Sequence, residues 1–387
     1  MITVGIDIAK RTHEACFMGQ DGHVIAKSRR FRNTRAGVGA LLDDLQRLDE
    51  PAVLGLEATG HYWLAVYEAL VGAGHTVQVL NPLQTHAYRQ TTIRKVKNDR
   101  QDAWLIADVV RIGRGRAAYV PDETILQLRE LTRFRWGLVD QIGDAKRRAL
   151  SILDRVFPEY EGLFSDVFLK SSQALLRQAT SAAEFAEADL TELAALLEHT
   201  SRGRLGRSQA EAVQAAARDS LGLTKLAGVA SFELRALLDQ IAFLEQQVAA
   251  VEQEIEALVG TLDEHLTDIK GIGPVLAASL LAEIGDVRRF ARLESLVAYA
   301  GIDPVVFASG DFSATQTRMS KRGSPHLRRA LWLAAVSASR SNPDLAAYLQ
   351  HRLDQGKPWG TAMGAVARKL LSRIYVILKH NQPYEVR

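Results

Sequence analysis

The sequence predicts a mixed α/β domain followed by a long helical remainder, and three observations predict it. Ile2, Val4, Ile6 and Ile8 alternate along the first eight residues, the period of a strand with one buried face. Further strand-like runs follow as far as residue 80, separated by segments of helical period or by turn residues. Between residues 127 and 258 the two longest periodic runs keep three-four spacing instead. With 387 residues, 47% apolar and 24% charged, the chain has room for two or three ordinary globular domains.

Taken in order, residues 2–8 form a strand with Asp7 on the face opposite the isoleucines. His13 to Phe17 and Val24 to Phe31 read as two more strands, joined through the hairpin turn Gln20-Asp21-Gly22. An amphipathic helix spans 34–48, opened by Asn33-Thr34. Ala52 to Glu57 is a buried strand closed by Ala58-Thr59-Gly60. A helix from Tyr62 to Val71 stops at Gly72 and Gly74, and Thr76 to Leu80 is the next strand. A helix beginning at Asp99 completes the order three strands, helix, strand, helix, strand, helix. That is the order of the ribonuclease H-like fold. In it Asp7 lies on the central strand and Glu57 ends the strand beside it.

Asp99 and Asp102 stand three apart at the start of that helix, so both carboxylates share one face. One explanation is local: Asn98 or Asp99 caps the helix, and acids suit its first turn. The surroundings favour chemistry. Seven basic residues lie between Arg94 and Arg116, against three acids. An Asp within a central strand is hard to explain by packing alone. Asp7, Glu57, Asp99 and Asp102 reaching one cleft is the arrangement that holds divalent ions for phosphodiester chemistry. Gly5-Ile-Asp-Ile with Asp21-Gly22 also suits the first phosphate loop of actin-like ATPases, but the second loop and the adenosine motif of that class are not found.

Further along, Gln127 to about Arg155 is one long helix whose outer faces carry Arg129, Arg133, Lys146, Arg147 and Arg148, either solvated or tracking a nucleic-acid backbone. Residues 156–228 are helical and say little about chemistry. Leu234, Leu237, Ile241, Leu244, Val248, Val251, Ile255 and Leu258 form a coiled-coil seam that needs a partner, either the 127–155 helix or, the favoured choice here, a second protomer. Leu266 to Leu281, around Gly271-Ile-Gly273-Pro, suggests a helix-hairpin-helix whose backbone N–H groups bind a phosphate. Ser309-Gly310 sits in a loop bounded by Pro304, upstream of Lys321, Arg322, Arg328 and Arg329. A loop serine can simply cap a turn.

Charge supports a polyanion partner: 13 Lys/Arg face 4 Asp/Glu over 311–387, while 156–263 holds 8 against 17. The single cysteine, Cys16, excludes an internal disulfide and a cysteine zinc site. With no signal peptide or long apolar span, the expectation is a soluble cytoplasmic protein, at the nucleoid when active, with no membrane contact.

Together Gly5-Ile-Asp7, Leu56-Glu57-Ala-Thr-Gly60, Asn98-Asp99-Arg-Gln-Asp102, Gly271-Ile-Gly273-Pro, Gly301-Ile-Asp-Pro304, Ser309-Gly310 and Ser320-Lys321-Arg-Gly323 resemble the IS110 family of insertion-sequence transposases, the DEDD recombinases. The resemblance implies a RuvC-like catalytic domain over 1–125, a helical and coiled-coil region over 126–262, and a transposase domain with helix-hairpin-helix over 263–387. It implies that Asp7, Glu57, Asp99 and Asp102 bind Mg2+ and that Ser309 is the nucleophile. Lys97, Arg100, Gly271, Gly273, Lys321, Arg322, Arg328 and Arg329 are the expected nucleic-acid contacts. The implied partners are donor and target DNA, a structured noncoding guide ("bridge") RNA, and further copies of the chain in a dimer or tetramer. The competing functions are a RuvC-like endonuclease using metal-activated water and, third, a non-catalytic nucleic-acid scaffold.

Overall fold

Strand β1 (Ile2–Asp7) is the centre of the first unit, with every residue before Asp7 buried. It pairs antiparallel with β2 (Thr12–Met18), which pairs with β3 (Val24–Arg32). On its other side it pairs parallel with β4 (Ala52–Glu57), which pairs parallel with β5 (Thr76–Leu80). The sheet order is β3-β2-β1-β4-β5. The computed structural model describes residues 1–58, 60–90, 98–114, 119–304, 308–309, 312–313 and 318–385. These fall into two units, Met1–Val120 and Pro121–Arg387.

One face of the sheet carries Val4, Ile6, Leu54 and Leu56, packed with Leu41 of helix α1 (Arg35–Gln46) and Val66 and Leu70 of helix α2 (Trp63–Gly72). Thr34 caps α1, its hydroxyl accepting from the Gly37 N–H. Helix α3 (Pro82–Gln90) is a largely polar stretch not anticipated from its sequence. Helix α4 (Asp99–Arg111) covers the opposite face, its Ile106 and Val110 clustered with Leu80. Its seat is made by glycine: a Cβ on Gly5 would stand 2.1 Å from the Ala103 carbonyl oxygen, and one on Gly55 would stand 2.5 Å from Val110. Gly5 and Gly55 are register partners, so the helix lies directly on the backbone of β1 and β4.

The second unit is helical. Helix α5 (Glu123–Val156) leads into α6 (Lys170–Gln178), α7 (Ala182–Glu187), α8 (Leu190–Ser201) and α9 (Arg207–Arg218). These pack round Phe157, Tyr160 and Phe185. Helix α10 (Ala227–Val259) then returns along α5 in the opposite sense. Ion pairs Arg155–Glu233, Lys146–Glu245 and Arg135–Glu252 step along the two helices and fix that antiparallel register. The apolar seam is therefore covered inside the chain: Leu234, Ile241, Leu244, Val251 and Ile255 are buried, the first at the α6–α9 core and the last three against Leu128 and Leu138 of α5. The second protomer favoured from the spacing is not needed to fill this seam, because a partner of equal length lies in the same chain.

Helices α11 (Pro274–Ile284), α12 (Leu293–Ala300), α13 (Pro325–Ser341), α14 (Pro343–Asp354) and α15 (Trp359–His380) share a third core, with the short hairpin β6 (Ala308–Ser309) and β7 (Phe312–Ser313) between α12 and α13. The expected helix-hairpin-helix lacks its first helix: between α10 and α11, residues 261–273 run as turns and unassigned backbone. Gly271 (φ +97°) explains why. Its Cα abuts Ala338 of α13, where a Cβ would meet backbone at 2.7 Å, so tertiary contact has taken over the turn.

Ile241 is fully buried on α10, where an added carboxylate would be taken out of solvent. Ile241→Asp is expected to destabilise the second unit by about 3 kcal/mol or more. Thermal melts followed by circular dichroism should show it without any change in particle mass.

Candidate functional site

Register builds the site. On the α4 face of the sheet, Asp7 follows Gly5 by two residues and Glu57 follows Gly55 by two, so the two acids stand one step beyond the paired glycines. Both lie at the carboxyl ends of parallel strands. Helix α4 crosses Gly5 at Ala103 and Ala107 and Gly55 at Ile106 and Val110, which brings its first turn, with Asp99 and Asp102, toward that same end. Asn98 is the cap: its side chain accepts from the Gln101 N–H at 2.8 Å. The carboxylate of Asp99 is thereby spared from capping.

The acids act on one another. The Asp7 carboxyl is pushed up to about 7, first by burial and then by the charges of Asp102, Asp99 and Glu57, while Arg89 pulls it down. A carboxylate raised by three like charges is the electrostatic mark of a shared site. Each neighbour is also held by a partner. The Thr85 hydroxyl donates to Glu57 at 2.6 Å, Arg89 donates to Asp102 at 2.7 Å, and Arg30 lies 3.9 Å from Asp99. So held, no three His, Cys, Asp or Glu side chains among the described residues surround one point at metal-ligand distance. Four carboxylates are a donor set that suits a hard divalent cation, whose charge would offset the repulsion at Asp7.

The structure adds residues that the sequence pattern did not single out. Glu14 is the register partner of Asp7, is buried, and pairs with Arg100 of α4 at 3.4 Å. An acid inside the apolar run Thr12–Met18 carries the same signal as Asp7 does in β1, and counting the hairpin register finds it. Thr85 and Arg89 come from α3, which had no periodic signal.

In the second unit, Ser309 lies in β6 opposite Phe312 of β7; its side chain is not among the described atoms. The arms leading to that hairpin are tied together. Ser320 donates to Asp303 at 2.5 Å, Pro304 bridges Met319, and the Ser324 N–H donates to the Tyr299 carbonyl at 2.7 Å. Ser324 caps α13 and its hydroxyl reaches Glu283, which is buried and gripped by Arg133 at 2.8 and 3.2 Å. Of the expected nucleic-acid contacts, Lys97 lies outside the described residues. Arg100 and Arg322 are exposed, and so is Gly273, the cap of α11. Arg328 donates to the Ala300 carbonyl, and Arg329 makes a two-point bond with Asp140 at 2.7 and 2.8 Å. On α5, Arg129 binds the Ala282 carbonyl, Arg133 binds Glu283, Lys146 pairs with Glu245 and Arg147 with Asp144, so these four cations have partners within the fold. No helix among the described residues is long and apolar enough to cross a membrane.

Two family descriptions match the chain: "Transposase", of the DEDD type, over residues 4–158, and "Transposase IS116/IS110/IS902 family" over residues 263–350. Full-length relatives agree. A mini-circle protein for IS117 of Streptomyces coelicolor is 26% identical over 400 residues, covering 98% of this chain and 94% of its own. The pilin gene-inverting protein of Moraxella bovis is 25% identical, covering 99% and 98%. The transposase for insertion sequence element IS1111A of Coxiella burnetii is 24% identical, covering 97% and 85%.

The raised Asp7 carboxyl sets a pH dependence. Folding binds a proton at Asp7 between about pH 4 and pH 7, so its contribution favours the folded state at the acid end and is lost as pH rises through about 7. Asp7→Asn should therefore melt higher than wild type at pH 8 without divalent ions, and the gap should close by pH 4. Paired thermal melts across that range check it.

Proposed function

Because this chain belongs to the IS110 family of transposases, we propose that it cuts and rejoins DNA strands at an insertion sequence, with a four-acid metal site and a serine nucleophile. It is an enzyme that acts on DNA. The observation that carries the reading is geometric: the parallel register of β1 and β4 sets Asp7 beside Glu57 at the strand ends, under a helix whose first turn holds Asp99 and Asp102, and burial with the charges of Asp102, Asp99 and Glu57 pushes the Asp7 carboxyl up. Four acids gathered at the ends of two parallel strands, in a sheet of order β3-β2-β1-β4-β5, support a ribonuclease H-like, RuvC-like domain. A relative named for inverting a pilin gene supports rejoining over cleavage alone.

Asp7, Glu57, Asp99 and Asp102 would hold Mg2+, which supplies Lewis-acid polarisation of the scissile phosphate. The chain's own groups do the rest. Arg89, bonded to Asp102, and Arg30, near Asp99, offset part of the repulsion among the acids. Ser309 is the nucleophile: its oxygen bonds to phosphorus, one sugar oxygen leaves as a hydroxyl, and the serine proton passes to solvent or a nearby base. The phosphoserine keeps the phosphoester bond energy, so a hydroxyl of the recipient strand can attack it and release Ser309 without ATP. The tied arms, through Ser320–Asp303 and Ser324–Glu283, hold the hairpin that carries it.

The chain would work in the cytoplasm, as a dimer or tetramer, with donor and target DNA chosen by a structured noncoding RNA. Exposed Arg100, Lys321 and Arg322, with Lys97, Arg328, Arg329 and the N–H groups near Gly271 and Gly273, are the contacts proposed for nucleic acid.

Asp7→Ala, Glu57→Ala, Asp99→Ala and Asp102→Ala should each lower strand exchange at least a thousandfold with folding intact, and Ser309→Ala should do the same while keeping DNA affinity. Wild type denatured mid-reaction should carry DNA on the peptide containing Ser309, read by mass spectrometry after nuclease digestion. An adduct on Ser313, Ser320 or Ser324 would move the nucleophile. Cleavage without any adduct, with full activity in Ser309→Ala, would return the chemistry to metal-activated water.

A further inference from the structure

Beside the arms of the serine hairpin the second unit holds a cavity of about 370 Å³, within the size class of small-ligand pockets. Ile302 and Met319 from the arms, Trp332 and Leu333 from α13, and Ala367 from α15 form apolar walls. Lys321, Arg328 and Arg329 form the rim, and no carboxylate is among the residues that line it. Two features go beyond what packing requires. Leu333 of the lining is 44% exposed, and Trp332 is only half-buried, with the exposed Trp359 edge-on to it at 5.9 Å outside the cavity. Lys321 is held at φ 52°, a left-handed conformation costly for a side-chain-bearing residue, by its N–H bond to the Gly301 carbonyl at 3.1 Å.

An apolar slot with an aromatic wall and Lys321 and Arg328 at its edge, its third cation Arg329 being held by Asp140, matches one unit of a nucleic-acid strand: a flat base with a phosphate on either side. We propose that this cavity takes one unstacked base of the DNA strand being cut, with its phosphates on Lys321 and Arg328. The inference rests on the DNA recombination proposed above. The pocket's place on the arm that returns from Ser309 favours the cut strand as its source. The walls present no side-chain amide or hydroxyl to read a base edge, so insertion should be indifferent to base identity.

The test is binding of the full chain to a single-stranded oligothymidylate and to a fully abasic strand of equal length and charge, by fluorescence anisotropy over a salt series. Wild type should prefer the strand with bases by roughly tenfold. Trp332→Leu, which keeps apolar bulk against the core, should bring that ratio near one without changing the salt slope. Lys321→Ala should lower the slope by about one and leave the ratio alone. Leu333→Glu, at the exposed mouth, repeats the loss of preference if Trp332→Leu proves unstable. A ratio untouched by Trp332→Leu and Leu333→Glu overturns the proposal. So does a base preference seen only with RNA strands, or a change of particle mass in Leu333→Glu with the ratio intact, which would mark a protein contact. If wild type binds neither strand, the DNA function itself fails; if it binds both alike, only the pocket does.

Discussion

Everything in the first unit depends on how closely α4 can approach the sheet. Helices on sheets normally stand off by the length of their side chains. Here Gly5 and Gly55 are paired across β1 and β4; the backbone of Ala103 and Ala107 sits on Gly5, and the side chains of Ile106 and Val110 fill the space over Gly55. With no Cβ on either strand, the helix seats close, and its first turn lies toward Asp7 and Glu57. The helix is pinned at its middle and its cap is fixed by Asn98, which sets Asp102 against Arg89 and leaves Asp99 exposed beside Arg30. Burial first, and then the charges of Asp102, Asp99 and Glu57, raise the Asp7 carboxyl, and the charge of a cation would offset that repulsion.

The second unit solves a different problem, which is to hold a short hairpin on long helices. The pair α5–α10 is a stiff antiparallel strut, laced by Arg135–Glu252 and Lys146–Glu245. From it Arg133 reaches Glu283 of α11, and Glu283 accepts from Ser324 at the start of α13. A buried carboxylate costs several kcal/mol unless paired and hydrogen-bonded. This one has both, and it ties the strut, α11 and the base of the serine arms to one point. Asp303–Ser320 and the Pro304–Met319 bridge do the same nearer the hairpin. The motif residues on either side of Ser309 therefore have a mechanical role distinct from phosphate contact.

Much of this was legible in the sequence because periodicity and register are local. All five strands of the sheet, α1, α2, the long helix and the α10 seam follow from spacing, and Asp7 stands out as a charge inside a strand. What escaped is tertiary. Spacing cannot say whether the α10 seam meets a second protomer or α5, because either gives the same heptads. The Gly271 turn reads as the middle of a helix-hairpin-helix, and spacing does not show that its Cα side packs against Ala338 of α13. The cations of α5 read equally as a solvated or a nucleic-acid face, and spacing does not show that Arg129, Arg133 and Lys146 are bonded to Ala282, Glu283 and Glu245. Thr85 and Arg89 were invisible because α3 is too polar to announce itself. Glu14 was the one avoidable omission, since the β1–β2 pairing puts it opposite Asp7.

If packing holds the acids together for a cation, binding of that cation must displace the proton that Asp7 carries below about pH 7. The direct measurement is calorimetric titration of the full chain with Mn2+ at pH 6 and pH 8.5, each in two buffers of different ionisation enthalpy. Saturable binding should release about one proton at pH 6 and close to none at pH 8.5, and Asp7→Asn should abolish the difference. Binding with the same proton count at both pH values, or no saturable binding at either, would contradict the four-acid metal site.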